Sequence, residues 1–300
     1  MAVERIGLVG LGNMGGRIAR RILAAGFQVA GFDADPARAQ AVGAEPRASL
    51  ATLVEGADAV LFSLPDSRVV EAVVLGEGGV LASARNGQVV VDLTTASPAS
   101  TSKLHALFAE KGVEFVDAGI SGGAKAAEEG KLTIMAGGST DALERVRPVL
   151  ETFSARVYHM GAAGAGHTAK LLNNFLNGVS LAATAEALVA AKKAGLDLEQ
   201  FLDVVNHSSG ANWSTANRFP HVVRGDYLEG GLTSNLMQKD LLLYVDLART
   251  LGVPALNAAG PVATFGLTVG LGYGEQISNR VVDAIGDVAG GVRLYEGSEG

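Results

Sequence analysis

Short apolar runs alternate with amphipathic stretches through the first half of the chain. The runs lie at 6–9, 29–32, 59–64, 89–93, 113–116 and 132–136. Their length and β-branched content suit strands buried on both faces. Between them, apolar residues at helical spacing predict helices over 17–24, 49–55, 68–75, 98–111 and 141–151. Gly26 stops the first helix, and Ser97-Pro98 opens another with Ser as N-cap and Pro in the first helical position. This alternation predicts an α/β fold, a doubly wound and mainly parallel sheet with helices on both faces.

The pattern changes near Gly161. Gly161-Ala-Ala-Gly164-Ala-Gly166 suits a connector or a helix entry, and no strand-like run follows it. A long, alanine-rich helix is predicted over 168–194, with further helices over 198–206, 215–223, 234–251, 257–269 and 275–288. The expected organisation is an α/β domain over 1–162 and an all-α C-terminal domain over 163–296, opened by the long helix. The tail from Gly290 to Gly300 is expected to fray.

The first apolar run feeds directly into Gly10-Leu11-Gly12-Asn13-Met14-Gly15, and Asp33 ends the second run 23 residues beyond Gly10. A lone Gly-x-Gly-x-x-Gly means little among 40 glycines. Set between a strand and a helix, it is the Rossmann dinucleotide fingerprint. Gly10 permits the tight turn, Gly12 lets backbone approach a diphosphate, and Gly15 lets helix pack on strand. The diphosphate would lie on the helix N-terminus, where free N–H groups and the dipole favour an anion. A carboxylate at Asp33 accepts from a ribose 2′-hydroxyl and repels a 2′-phosphate, and Arg38 lies a turn into the next segment. NAD is therefore favoured over NADP.

Composition narrows the class. The chain has 300 residues, 48% hydrophobic and 18% charged, which suits two globular domains. A net charge of −7 offers no basic surplus for nucleic acid or an anionic membrane, and no apolar run reaches the length of a bilayer span. The chain has no cysteine, and His105, His159, His167, His207 and His221 lack metal-ligand spacing, so no metal site is expected. The N-terminus leads at once into a core strand, with no room for a signal peptide, and a cytoplasmic location is expected.

Three further patterns carry polar chemistry. Lys170, Asn173, Asn174 and Asn177 share one face of the long helix, whose remainder is largely Leu171, Leu172, Phe175 and Leu176. This stripe is either a solvated face or a buried one. A lysine buried beside amides loses affinity for its proton and can exchange it near neutral pH. Asp117-Ala-Gly-Ile-Ser121-Gly122-Gly123 is either an ordinary turn or a strand end where a hydroxyl and backbone N–H groups hold a carboxylate. Lys239-Asp240, in a helical stretch, suits a surface ion pair. Trp213, the single tryptophan, either shapes a pocket or, more commonly, fills a helical core.

Together these residues resemble the β-hydroxyacid dehydrogenase family, which includes 3-hydroxyisobutyrate dehydrogenase, tartronate semialdehyde reductase and L-threonate dehydrogenase. The likeness runs from Ile6 to about Asp287 and rests on four ordered motifs. They are the Gly10–Gly15 loop, the Asp117–Gly123 loop, Gly164-x-Gly166-x-x-x-Lys170-x-x-Asn173-Asn174, and Lys239-Asp240. Leu64-Pro65-Asp66 and the segment from Asp92 through Thr95 to Pro98 are similar to the family's other cofactor-lining loops. The resemblance implies that Lys170 is the general acid–base. It implies that Ser121, Gly122, Gly123 and Asn174 bind the carboxylate and hydroxyl of a small-molecule substrate, and that Thr95 lies beside the nicotinamide ribose. It also implies that Lys239, supported by Asp240, closes the site near cofactor and substrate. One departure is Gly119, where the family usually has proline.

The implied activity is hydride transfer between NAD(P) and a small β-hydroxy acid or its semialdehyde, 3-hydroxyisobutyrate being the type substrate and tartronate semialdehyde or L-threonate the alternatives. Imine reductases of this fold often lack the lysine, and the sugar-phosphate dehydrogenases are longer. A non-catalytic oligomerisation module is the reading from another class, and retention of Lys170 argues against it. A long apolar helix opening a small bundle also predicts a homo-dimer or homo-tetramer.

Overall fold

The computed structural model describes residues 3–295. The chain divides into two compact units, one ending at Lys170 and the other beginning at Leu171.

The first unit is built on strands β1 (Arg5–Val9), β2 (Gln28–Phe32), β3 (Glu45–Pro46), β4 (Ala59–Phe62), β5 (Val89–Asp92), β6 (Glu114–Ser121), β7 (Leu132–Gly137) and β8 (Ser154–Gly161). They form one sheet in the order β3-β2-β1-β4-β5-β6-β7-β8. Strands β1 to β6 run parallel, β7 turns antiparallel to β6, and β8 follows β7 in parallel. The order reverses at β1, between β2 and β4, so the carboxyl ends of these strands open the crevice where such sheets take ligands.

Period-two alternation sends successive residues to opposite faces. Leu8 packs with Ile18, Ile22 and Val29 on one side of the sheet. Val9 packs with Val60, Phe62 and the stacked pair Phe108 and Phe115 on the other. The flanking helices are α1 (Asn13–Ala24), α2 (Ala37–Ala41), α3 (Leu50–Gly56), α4 (Ser67–Leu75), α5 (Val80–Ser83), α6 (Pro98–Ala109), α7 (Gly123–Glu129) and α8 (Thr140–Leu150). The apolar runs became strands, and the two-residue β3 joined the sheet with no run of its own. Strand β4 stops at Phe62, two residues short of its run. Strand β6 extends past its run to Ser121, because Gly119, Ile120 and Ser121 pair with Met135, Ile134 and Thr133. Strand β8 has no matching apolar run, because it lies at the sheet edge with most of its residues exposed and is held by its backbone pairing to β7. Helix α6 starts at Pro98 as expected, but the Ser97 hydroxyl makes no capping bond.

Helix α9 (Ala165–Lys193) starts in the first unit and continues through the second. It is followed by α10 (Leu198–Asn206), α11 (Trp213–Asn217), α12 (Phe219–Val222), α13 (Ser234–Thr250), α14 (Ala259–Thr268) and α15 (Val281–Val288). Leu181, Leu188, Phe219, Met237, Leu241, Phe265 and Val281 form the buried core of this unit. No strand occurs in it among the described residues; Thr233 and Ile277 form an isolated bridge.

The helix expected over 215–223 is broken at Arg218. Its first piece is fixed by a capping box between Asn212 and Thr215, and Pro220 sits in the first turn of the second. The helix expected from 275 begins at Val281, after a 3-10 turn at Ser278–Arg280. Gly290 to Tyr295 do not fray: Arg293 pairs with Asp287, and Leu294 is buried. Residues 296–300 of the predicted tail lie outside the described residues. Trp213 does not fill the core; it is 65% exposed.

Candidate active site

The loop after β1 is a phosphate cradle. Gly10 has a φ of 88°, and a Cβ there would lie 2.3 Å from the Ser63 carbonyl oxygen. A Cβ on Gly15 would lie 1.9 Å from the Gly10 oxygen, so the start of α1 is in backbone contact with the loop. Gly12 is different. A Cβ there would meet only Arg38 Nη1, at 3.4 Å, and the space over its backbone is open. Gly12 is the N-cap of α1 and caps nothing with a side chain, and the first turn, which holds Asn13 and Met14, has no acid. The loop thus fits the diphosphate of a dinucleotide.

Asp33 closes this loop from β2. Its Oδ2 accepts from Leu11 N–H at 2.6 Å and its Oδ1 from Asp35 N–H at 2.9 Å. Arg38 is not set apart from the loop, as its sequence position suggested. Its Nη1 lies 3.7 Å from Asp33 Oδ1 and its Nε 3.5 Å from Asp35 Oδ2. With Arg20, it borders a cavity of about 310 Å³ alongside Leu11, Gly12 and Asn13. The next two crevice loops are tied together, Leu64 N–H donating to Thr94 Oγ1 at 3.2 Å. Pro65 and Thr95 lie in these same loops, each next to one of the bonded residues.

Asp117 is not part of a surface loop. It sits inside β6, wholly buried, and its carboxylate receives the N-terminus of α9. Oδ1 accepts from Gly164 N–H at 2.7 Å and Oδ2 from His167 N–H at 2.8 Å. A full negative charge at a helix N-terminus matches the dipole and satisfies two N–H groups that the helix cannot. His167 is also buried. Its Nε2–H donates to the Asp92 carbonyl at 3.1 Å, and Nδ1 shares a 2.7 Å bond with Thr101 Oγ1. Asp92, paired with Asp117 across β5 and β6, has its carboxyl pushed up by burial.

Glycines let α9 approach the sheet. A Cβ on Gly166 would lie 2.5 Å from the carbonyl oxygens of Asp117 and Met135. A Cβ on Gly119 would lie 2.5 Å from Lys170 Cβ. Lys170 is therefore pressed against β6 at its base, and it is only 8% exposed. Beyond Gly119 the strand ends at Ser121. Gly122 (φ 130°) and Gly123 (φ 73°) then turn the chain into α7, in conformations that disfavour any residue with a Cβ.

In the second unit the stripe on α9 is mostly inward. Asn174 is buried and Asn177 partly buried, whereas Asn173 is exposed. Asn174 Nδ2 donates to Asp240 Oδ2 at 2.5 Å, and Lys239 Nζ lies 2.9 Å from Asp240 Oδ1. Lys239-Asp240 is thus not a surface pair: the Asp240 side chain is 1% exposed and that of Lys239 22%. Asp240 is bonded there by Asn174, 66 residues away, a contact that no local pattern records. Helix α9 carries Lys170 and Asn174 one turn apart on one face. Sequence reading missed the buried roles of Asp117 and His167; an acid mid-strand ahead of a glycine-flanked helix entry was the available signal.

A dinucleotide fold, a glycine cradle and a buried lysine on the helix entering an all-α unit define a nicotinamide-dependent dehydrogenase. Comparison with known proteins agrees. Residues 5–161 match the model for the NAD-binding domain of 6-phosphogluconate dehydrogenase. Residues 164–274 match that for the NAD-binding domain of NADP-dependent 3-hydroxyisobutyrate dehydrogenase. The chain is 37% identical over 281 residues to 2-(hydroxymethyl)glutarate dehydrogenase of Eubacterium barkeri, covering 93% of both. It is 35% identical to L-threonate dehydrogenase of Cupriavidus necator, over 93% of this chain and 95% of the other. The structure of Mycobacterium tuberculosis 3-hydroxyisobutyrate dehydrogenase with L-serine superposes with a TM-score of 0.86 at 32% identity, over 96% of this chain and 99% of that one. The chain belongs to the β-hydroxyacid dehydrogenase family, NAD(P)-dependent oxidoreductases that act on the hydroxyl groups of small hydroxy acids.

Proposed function

We propose that Lys170 is the general acid–base in the oxidation of a small β-hydroxy acid, 3-hydroxyisobutyrate-like, to its semialdehyde. The observation that carries this reading is a buried lysine seated by Gly119 on a helix whose N-terminus is fixed by Asp117. Its amine takes the hydroxyl proton during oxidation and returns it during reduction. When bound, the nicotinamide supplies the acceptor or donor of hydride. Ser121 and the N–H groups of Gly122 and Gly123 hold the substrate carboxylate. Asn174 orients the hydroxyl, and its bond to Asp240 fixes its amide. Lys239, supported by Asp240, is the residue that closes over cofactor and substrate. L-threonate and tartronate semialdehyde offer the same functional groups and are the alternative substrates.

Gly10 to Gly15, Leu64, Pro65 and Thr95 would hold the cofactor. NAD is favoured over NADP, because a carboxylate follows β2 at Asp33, where it would accept from a ribose 2′-hydroxyl and repel a 2′-phosphate, and Arg38 already faces two carboxylates. Two exposed leucines of α9, Leu172 at 43% and Leu176 at 66%, support a homo-dimer or homo-tetramer. Among the described residues no helix is long and apolar enough to cross a membrane.

Following NADH absorbance with 3-hydroxyisobutyrate, L-threonate and D-glycerate tests this reading. Lys170→Ala should lower kcat by about 10²- to 10⁴-fold while cofactor binding is retained. Near-normal turnover in that variant would remove Lys170 from the mechanism. A higher kcat/KM with NADP than with NAD would overturn the cofactor preference.

A further inference from the structure

Arg218 is a partly buried cation that, among the described residues, meets only neutral acceptors. It occupies the break between α11 and α12 and is partly buried. Its guanidinium donates to uncharged oxygens: Nη1 to Asn279 Oδ1 at 2.7 Å and Ser278 Oγ at 3.4 Å, and Nη2 to Asn177 Oδ1 at 3.3 Å. Asn279 and Ser278 are themselves buried, and Asn279 is oriented by its own Nδ2 bond to the Tyr227 carbonyl at 2.9 Å. The acids of neighbouring α15 are committed elsewhere. Asp283 takes Arg280 and the Tyr227 hydroxyl, and Asp287 takes Arg293 and the Tyr273 hydroxyl. Among the described residues no carboxylate pairs with Arg218.

Taking a guanidinium out of water without a counter-charge is costly, and burial alone lowers the affinity of Arg218 for its proton. Other arginines of this unit show the ordinary solution: Arg224, Arg280 and Arg293 each pair with an acid. Arg218 instead is held by three neutral acceptors, which fix the planar fork and neutralise nothing. Such a fork is matched to a carboxylate.

Asn177 links this group to the reaction. It stands seven residues beyond Lys170, two turns along the same face of α9, or about 10.5 Å along the axis. Asn174 lies between them. An anion on Arg218 would therefore belong to the end of the substrate remote from the reacting hydroxyl, and a short dicarboxylate has that form. We propose that Arg218, held by Asn177, Ser278 and Asn279, binds a second carboxylate of the substrate, so that the enzyme selects β-hydroxy acids bearing two carboxylates. This rests on the assignment of Lys170 above.

The test compares 2-(hydroxymethyl)glutarate with 3-hydroxyisobutyrate in the wild type, Arg218→Gln and Arg218→Lys. The wild type should show the higher kcat/KM for the dicarboxylate. Arg218→Gln should raise KM for it by about 10- to 100-fold and leave that for the monocarboxylate within about 3-fold. Arg218→Lys should recover much of the loss. A purely structural arginine would depress both substrates equally, which would overturn the proposal. So would a wild-type preference for the monocarboxylate. Calorimetry with glutarate and butyrate, which lack the reacting hydroxyl, separates this from failure of the catalytic reading. Glutarate should bind the wild type more tightly than butyrate and lose that advantage in Arg218→Gln; equal binding of the two by the wild type would refute the anion site even if Lys170 is catalytic. Unchanged cofactor affinity in the variants excludes a cofactor phosphate as the anion, and a matching loss of cofactor affinity would reassign Arg218 to the cofactor.

Discussion

At the scale of single residues, Gly119 shows what a missing side chain does. The family resemblance made it a departure, a glycine where proline is usual. Its neighbour explains the tolerance for glycine here: a Cβ at this position would lie 2.5 Å from Lys170 Cβ and 2.9 Å from Cγ. Neither atom is the free end of a flexible chain, so helix or strand must move. On the acid–base role proposed for Lys170, displacing it by about 1 Å costs on the order of 10²-fold in rate. Gly119→Ala should therefore lower kcat by about 10- to 100-fold with cofactor affinity retained, and cost about 1–3 kcal/mol by overpacking. Steady-state kinetics beside thermal melts check both; unchanged kcat would mean that Lys170 tolerates the shift.

At the scale of elements, the entry of α9 matters most. Its position does not follow from helix propensity, since Gly164 and Gly166 are poor helix formers. Asp117 fixes it, with one oxygen on Gly164 N–H and the other on His167 N–H. Asp117→Asn removes the charge and turns an amide NH₂ toward one of two donors. It should cost about 2–3 kcal/mol in urea unfolding and lower kcat, because the turn that carries Lys170 loses its anchor. Stability equal to wild type would show that the glycine packing alone holds the helix. Strand β8 marks the opposite limit. Its sequence, Ser-Ala-Arg-Val-Tyr-His-Met-Gly, has no buried face to impose alternation, and only pairing with β7 makes it a strand.

At the scale of the whole molecule, acid stability has a named contributor. Asp58, just before β4, is bonded to the Arg5 side chain and to the N–H groups of Glu4 and Arg5 at the start of β1. The Arg5 guanidinium, together with these N–H groups, holds its carboxyl down to about 2. A carboxyl lowered in the folded state stabilises fully above its unfolded value, and the contribution is lost as pH falls toward the folded one. The pair is partly solvated, so its worth is under about 1 kcal/mol. Asp58→Asn should be less stable than wild type by up to that amount at pH 6, and the gap should narrow between pH 4 and 3. Urea unfolding across that range measures it; a pH-independent gap would assign the effect to packing.

The local pattern of the chain already determined much of this protein. Apolar runs at strand length gave the sheet, the glycines of 10–15 gave the cradle, and helical spacing put Lys170, Asn174 and Asn177 on one face of α9. These signals are short in range and repeat with the period of a strand or helix, so they can be read without knowing what packs against what. Tertiary structure decided the rest: that Asp117 is a helix anchor, that Gly119 meets Lys170, that Asn174 bonds the buried Asp240, and that Arg218, at a break between two helices, faces three amide and hydroxyl oxygens. Each joins groups dozens of residues apart, and a contact of that span leaves no periodic trace in the chain.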